Sequence, residues 1–230
     1  MKLVLVMPVY NEEKSIEIVI NEWYEILESC LSGEFTILVI DDGSTDKTSK
    51  ILNIISDRLN NVIYHKKKNS GHGESCLVGY REAVKLNPEW ILQIDSDYQC
   101  DPIYFEKFWS LRKSSSVIMG KRTKRLDGFY RLILTKLISV WLLAFTGKFC
   151  PDPNVPYRLI RSKILSQIIE CMPSTHLLNS LLSYKIMDKT SITWVDIYFR
   201  KRIYGSSFHK FIPTILSILK LTKLLVAGNK

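Results

Sequence analysis

The chain lacks any run of roughly 20 apolar residues, the length a helix needs to span a bilayer. Its longest apolar stretches, Leu137 to Gly147 and Ile212 to Leu219, are bounded by Lys136, Lys148 and Lys220. It also lacks a leader pattern: Leu3 to Val9 is short, and Glu12 and Glu13 follow it without a small-residue cleavage site. Neither a spanning helix nor a cleaved signal is therefore expected. The five cysteines (Cys30, Cys76, Cys100, Cys150, Cys171) are odd in number and never spaced as CxxC. That argues against a disulfide framework and a zinc knuckle, and makes a reducing cytoplasm the default compartment. There is no helix-turn-helix, zinc-finger or aromatic RNA-binding signature, so nucleic acid is not an expected partner. Acidic residues are scarce in one region. Residues 103–230 hold 6 Asp and Glu against 22 Lys and Arg, whereas residues 1–102 hold 17 against 10.

What is present is an ordinary globular composition: 230 residues, 46% hydrophobic and 24% charged, enough for one α/β domain with a sizeable core. The net charge of +9 is the residue of an acidic half and a strongly basic one. A basic half suits a polyanionic partner, either a phosphate-bearing substrate or an anionic membrane surface.

Leu3 to Met7 reads as a buried strand, followed by apolar positions at helical spacing over residues 12–30. The unit repeats. Phe35 to Ile40 is a strand ending in Asp41-Asp42-Gly43, with a helix from Ser44 or Thr45 to about Arg58. Val62 to His65 is a strand, Glu74 to Leu86 a helix, and Trp90 to Ile94 a strand ending in Asp95-Ser96-Asp97. Strands alternating with helices predict a mostly parallel sheet flanked by helices, with ligands beyond the carboxyl ends of the strands. Tyr10-Asn11, Asp41-Asp42 and Asp95-Ser96-Asp97 would then share one crevice. Further on, the pattern predicts a strand at Val117 to Met119, an apolar helix at 129–146 and a rigid loop through Pro151, Pro153 and Pro156. Helices near 161–171 and 175–187, a strand at 192–199, a basic turn at 200–207 and an amphipathic tail helix complete it. Residues 1–208 form the expected catalytic domain, split into 1–102 and 103–208, and 209–230 its amphipathic tail.

Asp95 and Asp97 stand two residues apart at a strand end, where both can face one cation. Oxygen donors of this kind suit Mg²⁺ or Mn²⁺, and Gln99 can add a neutral oxygen. Two readings stand for His72: a turn between glycines, which is the plainer one, or a ligand contact.

Five segments, Pro8-Val9-Tyr10-Asn11-Glu12-Glu13, Asp41 to Asp46, Gly71-His72-Gly73, Asp95 to Pro102 and Gly120-Lys121-Arg122, occur in the order seen in family 2 glycosyltransferases. The chain resembles that family over about residues 3–210, and within it the branch of dolichyl-phosphate mannose synthase and bacterial polyprenyl-phosphate sugar transferases. Asp152 to Arg158 and Arg202 to Ser207 are similar to two further family segments, although Pro156-Tyr157 stands where Gly-Phe is usual and Phe208 where Lys is usual. The resemblance implies a nucleotide-sugar-binding GT-A (Rossmann-like) fold and an inverting, Mg²⁺- or Mn²⁺-dependent transferase using a GDP- or UDP-linked sugar. Carried over, Pro8, Tyr10 and Glu12 line the base pocket, Asp42 contacts the nucleoside, and Asp95, Asp97 and Gln99 hold the metal against the diphosphate. Arg122, Arg131 and Arg158 become candidates for an acceptor phosphate, and Arg202 for the donor diphosphate.

Charge separates two acceptors. An alcohol must lose a proton during attack and needs a base, for which Asp152 is the evident carboxylate; its other role is to brace the proline loop. A lipid phosphate is already anionic near neutral pH, with a second pKa of about 6, and needs cations instead. Six Lys and Arg against one Asp between residues 120 and 136 favour polyprenyl or dolichyl phosphate. The alternative acceptor is a hydroxyl of a lipid-linked oligosaccharide or surface polysaccharide. Lys66, Lys67 and Lys68 read as a solvated loop. From Ile197 to Lys230 there are seven Lys and Arg and no acidic residue. A helix over 209–226 would lie in a membrane interface or pack on its own domain, so peripheral attachment to the cytoplasmic membrane face is the expectation.

Overall fold

In the computed structural model every residue of β1 (Leu3–Val9) is buried. A strand at the centre of a parallel sheet with helices on both faces requires this. The structure describes residues 1–123, 129–175 and 177–202, with side chains throughout except at 129–135, 145 and 146. The first half alternates as expected: α1 (Ile16–Leu31), β2 (Phe35–Asp41), α2 (Thr48–Arg58), β3 (Val62–Lys66), α3 (His72–Lys85) and β4 (Trp90–Gln93) follow β1. After a single 3₁₀ turn at Pro102–Tyr104 come α4 (Phe105–Leu111), β5 (Val117–Arg122), α5 (Phe129–Thr146), β6 (Arg158–Arg161), α6 (Ser162–Ile169), α7 (Leu178–Lys189) and β7 (Thr193–Ile197).

Among the described residues seven strands form one sheet in the order β3-β2-β1-β4-β6-β5-β7. β1 pairs parallel with β2 and β4, β2 with β3, and β5 with β7, while β6 runs antiparallel between β4 and β5. The register Val9 to Asp41 and Val6 to Gln93 brings the ends of β1, β2 and β4 to one edge. α3 lies close on β1 because Gly79 has no side chain: a Cβ there would stand 2.4 Å from Val6 Cγ1. That close approach fixes where the N-terminus of α3, and with it His72, meets the crevice.

Several elements differ from expectation. The helix expected over 12–30 starts at Ile16; residues 13–15 form a turn in front of it, with the Ser15 and Ile16 N–H groups both donating to the Glu12 carbonyl. The helix expected near 161–171 is preceded by β6 and ends at Ile169, and α4 was not expected. α5 matches its expected span. Its Ile138 and Leu142 are buried, while Leu137, Val140 and Leu143 are exposed on the other side. Among the described residues no helix is long and apolar enough to cross a membrane. The expected tail at 209–230 lies outside the described residues.

Candidate active site

Two loops close the end of β1. Asn11, in the left-handed region at φ 53°, donates its N–H to Ser44 Oγ and accepts from the Thr45 N–H through Oδ1. Glu13 accepts from the Lys47 N–H. Tyr10 is left exposed at the rim, while Pro8 stays buried within β1. Glu12 is nearly buried, and its carboxylate accepts from Ser15 Oγ at 2.7 Å and from Arg202 Nη2 at 2.6 Å.

The paired acids at the end of β2 divide their work. Asp41 is fully buried and accepts from the Ser44 N–H, Ser49 Oγ and Tyr64 OH. Burial pushes its pKa up, but these hydrogen bonds to the ionised form prevail and hold it below the usual carboxylate value. Asp42, expected at the nucleoside, accepts from the Ser70 and Gly71 N–H groups at 2.9 and 2.8 Å and pairs with the Lys67 ammonium. It thereby clamps the lead-in to α3. Lys67, read from sequence as one of three solvated lysines, is in fact mostly buried in this clamp.

After β4, the Asp95 carboxylate accepts from Gln93 Nε2 at 3.2 Å and faces His72 Nε2 at 3.7 Å. His72, for which the turn reading was the plainer, is the first residue of α3 and a wall of the crevice. The Asp97 carboxylate accepts from the Gln99 N–H and lies 4.0 Å from Arg202 Nη1. Burial and the nearby Asp95 carboxylate push the Asp97 carboxyl up to about 6, with Arg202 and the Gln99 N–H pulling the other way. Glu12 and Asp97 thus gather negative charge around the Arg202 guanidinium, with Asp95 close enough to Asp97 to raise its carboxyl.

This donor set fits a hard divalent cation. Two carboxylates crowded enough to raise a pKa gain most from an added positive charge, and the Gln99 amide, its nitrogen bonded to the Arg200 carbonyl, has an oxygen to contribute. Among the described residues no cluster of three or more His, Cys, Asp or Glu side chains forms a complete cage. A cation here would share its shell with substrate oxygens, as magnesium commonly does.

At the end of β5, Arg122 makes a fork with Asp152. Nε and Nη2 each donate to a different carboxylate oxygen at 2.7 Å, and the Arg122 N–H adds a third bond. Asp152 is only 2% exposed. Arg158, expected at the acceptor phosphate, is turned inward. It is fully buried, donating to the Val155, Pro153 and Asn179 carbonyls at 2.6, 2.7 and 2.9 Å, so it braces the proline loop. The Arg131 side chain lies outside the described residues.

A GT-A sheet with its carboxylates at the strand ends is the architecture of sugar-nucleotide transferases, and solved structures share it. TarS of S. aureus in complex with UDP-GlcNAc superposes with a TM-score of 0.68 at 20% identity, over 98% of this chain and 66% of that one. Glucosyl-3-phosphoglycerate synthase from Mycobacterium tuberculosis in complex with UDP gives 0.68 at 16% identity, over 98% and 79%. Residues 4–179 match the model of Glycosyl transferase family 2, and the chain belongs to that family. Among curated relatives, the undecaprenyl-phosphate 4-deoxy-4-formamido-L-arabinose transferase of Photorhabdus laumondii is 25% identical over 219 residues, 93% of this chain and 65% of the relative. Its counterpart in Pectobacterium carotovorum is 26% identical over 216 residues, 92% and 63%. The chain therefore spans just under two thirds of the length of these relatives.

Proposed function

We propose that the chain transfers a sugar, with inversion, from a GDP- or UDP-linked donor to the phosphate of a polyprenyl or dolichyl lipid. Asp95, Asp97 and Gln99 would hold Mg²⁺ or Mn²⁺, which when bound offsets charge on the leaving diphosphate. Arg202 supplies a second positive group on the same side, exchanging Glu12 for phosphate oxygens. Tyr10 and Glu12 border the base and Asp42 holds the nucleoside wall in place. The observation that carries the choice of acceptor is the Arg122–Asp152 fork. A hydroxyl acceptor needs a base, yet the best-placed carboxylate is buried and both of its oxygens already accept from the Arg122 guanidinium. A phosphate acceptor needs no base, and Asp152 then orients Arg122 toward it. The relatives, named for undecaprenyl phosphate, support the same acceptor class. A panel of UDP- and GDP-sugars with Mn²⁺ tests this: nucleoside diphosphate release should require polyprenyl phosphate. Release with the unphosphorylated polyprenol or a saccharide acceptor alone would instead favour the hydroxyl reading.

Proton competition gives a pH dependence. Asp97 must be ionised to bind a cation, and its pKa of about 6 sits between neutral and mildly acid conditions. Mn²⁺ affinity should fall about tenfold between pH 7 and pH 5, followed by isothermal titration. A flat profile would remove Asp97 from the ligand set.

Peripheral attachment at the cytoplasmic face belongs to the same proposal. Leu137, Val140 and Leu143 recur at helical spacing on the exposed side of α5, with Phe149 beyond its end and exposed Lys136 beside them. Such a face suits the lipid boundary, with lysine at the headgroups. The Leu137→Asp/Val140→Asp double variant should lose flotation with anionic vesicles. Undiminished flotation would separate α5 from attachment.

A further inference from the structure

Arg200 lies three residues beyond β7 and two before Arg202, in a basic turn whose spacing alone does not single it out. We propose that Arg200 is a positioning residue: it locks the loop carrying Asp97 and Gln99 to the segment carrying Arg202, and so presets the cation and diphosphate site before the donor arrives. This role rests on the donor reading above.

The clasp is made at both backbone and side-chain level. The Arg200 N–H donates to the Gln99 carbonyl at 3.1 Å, and Gln99 Nε2 returns a bond to the Arg200 carbonyl at 3.3 Å. The guanidinium forks onto Asp101, Nε and Nη2 each donating at 2.8 Å, while Nη1 reaches Glu22 of α1 at 2.6 Å. Its plane stands over the Tyr98 ring at 4.8 Å, and Tyr98 OH donates to the other Glu22 oxygen. Residues 98, 99 and 101 are thus all gripped by one arginine, directly after Asp97.

Two features tie this grip to function more than to stability. Tyr98, the residue directly after Asp97, is held at φ 70°, a left-handed conformation that is costly for a bulky residue and persists where its surroundings hold it. The charged partners are also partly exposed, Arg200 at 28%, Glu22 at 33% and Asp101 at 21%, where ion pairs contribute little to folding. What the cluster does fix is geometry. With residue 200 pinned to residue 99, the Arg202 guanidinium is delivered to Glu12 and to within 4.0 Å of Asp97. Lysine keeps the charge but has no fork to span Asp101 and Glu22 together.

The full chain carrying Arg200→Gln, Arg200→Lys or Asp101→Asn is titrated with Mn²⁺, and then with UDP and GDP in Mn²⁺, alongside thermal melts. Arg58→Gln, which removes the exposed pair with Glu17, serves as control. Arg200→Gln and Asp101→Asn should each weaken Mn²⁺ and nucleotide binding about tenfold, the scale of lost support around a metal ligand, with melting close to that of the control. Arg200→Lys should recover only part of the loss. Wild-type binding in Arg200→Gln, full recovery by lysine, or losses that merely track melting temperature would overturn the clasp. If the wild-type chain itself binds neither nucleotide, the donor reading fails and the role of Arg200 fails with it.

Discussion

Replacing Asp97 by asparagine is expected to lower sugar transfer at least a hundredfold and yet to raise the melting temperature of the metal-free chain. The loss follows from removing the charge that would hold the cation opposite the leaving diphosphate; single electrostatic groups of this kind are commonly worth about 10²–10³ in rate. The gain follows from the same crowding. Burial, Asp95 and Glu12 all disfavour ionised Asp97, and its carboxyl is held at about 6, above its ordinary value. A group with a raised folded pKa favours the fold while protonated. That contribution is complete below the ordinary pKa and is lost as pH rises through about 6. At pH 7.5 the neutral amide avoids a penalty on the order of 1–3 kcal/mol, and the variant should melt a few degrees higher. At pH 4 the difference should vanish, because the wild-type carboxyl is then protonated as well. Melts in chelator at the two pH values check the sign. A variant less stable at pH 7.5, or one still binding Mn²⁺ normally, would contradict the assignment.

The second large effect is structural. Arg158→Met should destabilise the chain by about 3–5 kcal/mol, because methionine fills much of the volume but leaves the Val155, Pro153 and Asn179 carbonyls without their donors at a fully buried position. For a domain of this size that corresponds to a drop of about 10 °C in melting temperature. Below the transition, the apparent KM for lipid phosphate should be unchanged, since the side chain is fully buried. Arg122→Met should also destabilise the chain, since it leaves the buried Asp152 carboxylate without its fork, but unlike Arg158→Met it should raise the acceptor KM as well. If Arg158→Met raises acceptor KM without loss of stability, the inward placement of Arg158 would not be its working one.

These two residues also show where the sequence is legible. Asp97 could be found from its place after an apolar strand in a chain of repeated strand–helix units, because alternation alone puts the ends of β1, β2 and β4 at one edge. The first half was readable for that reason, with boundaries off by a few residues where side chains take over backbone bonding. α2 begins at Thr48, for example, and not at Ser44, because Asp46 Oδ1 accepts the Thr48 N–H. β6 was not legible. Arg158-Leu159-Ile160-Arg161 is four residues long, and its strand character comes from pairing with β4 and β5 across the sheet. The inward turn of Arg158 was hidden likewise, since its partners are backbone carbonyls brought near only by folding. Local spacing carries no trace of pairings such as Arg122 with Asp152, Lys67 with Asp42, or Arg200 with Glu22, which join residues 30, 25 and 178 positions apart. Lys67 could have been suspected from one signal alone, its place between a predicted strand and the glycines around His72.

Mass analysis of the lipid product is the most direct measurement. Polyprenyl phosphate incubated with the full chain, Mn²⁺ and the accepted nucleotide-sugar should gain one sugar residue on its phosphate, released by mild acid, with one nucleoside diphosphate formed per sugar transferred. A lipid phosphate recovered unchanged while the sugar appears on a hydroxyl acceptor would contradict the transfer proposed for this site.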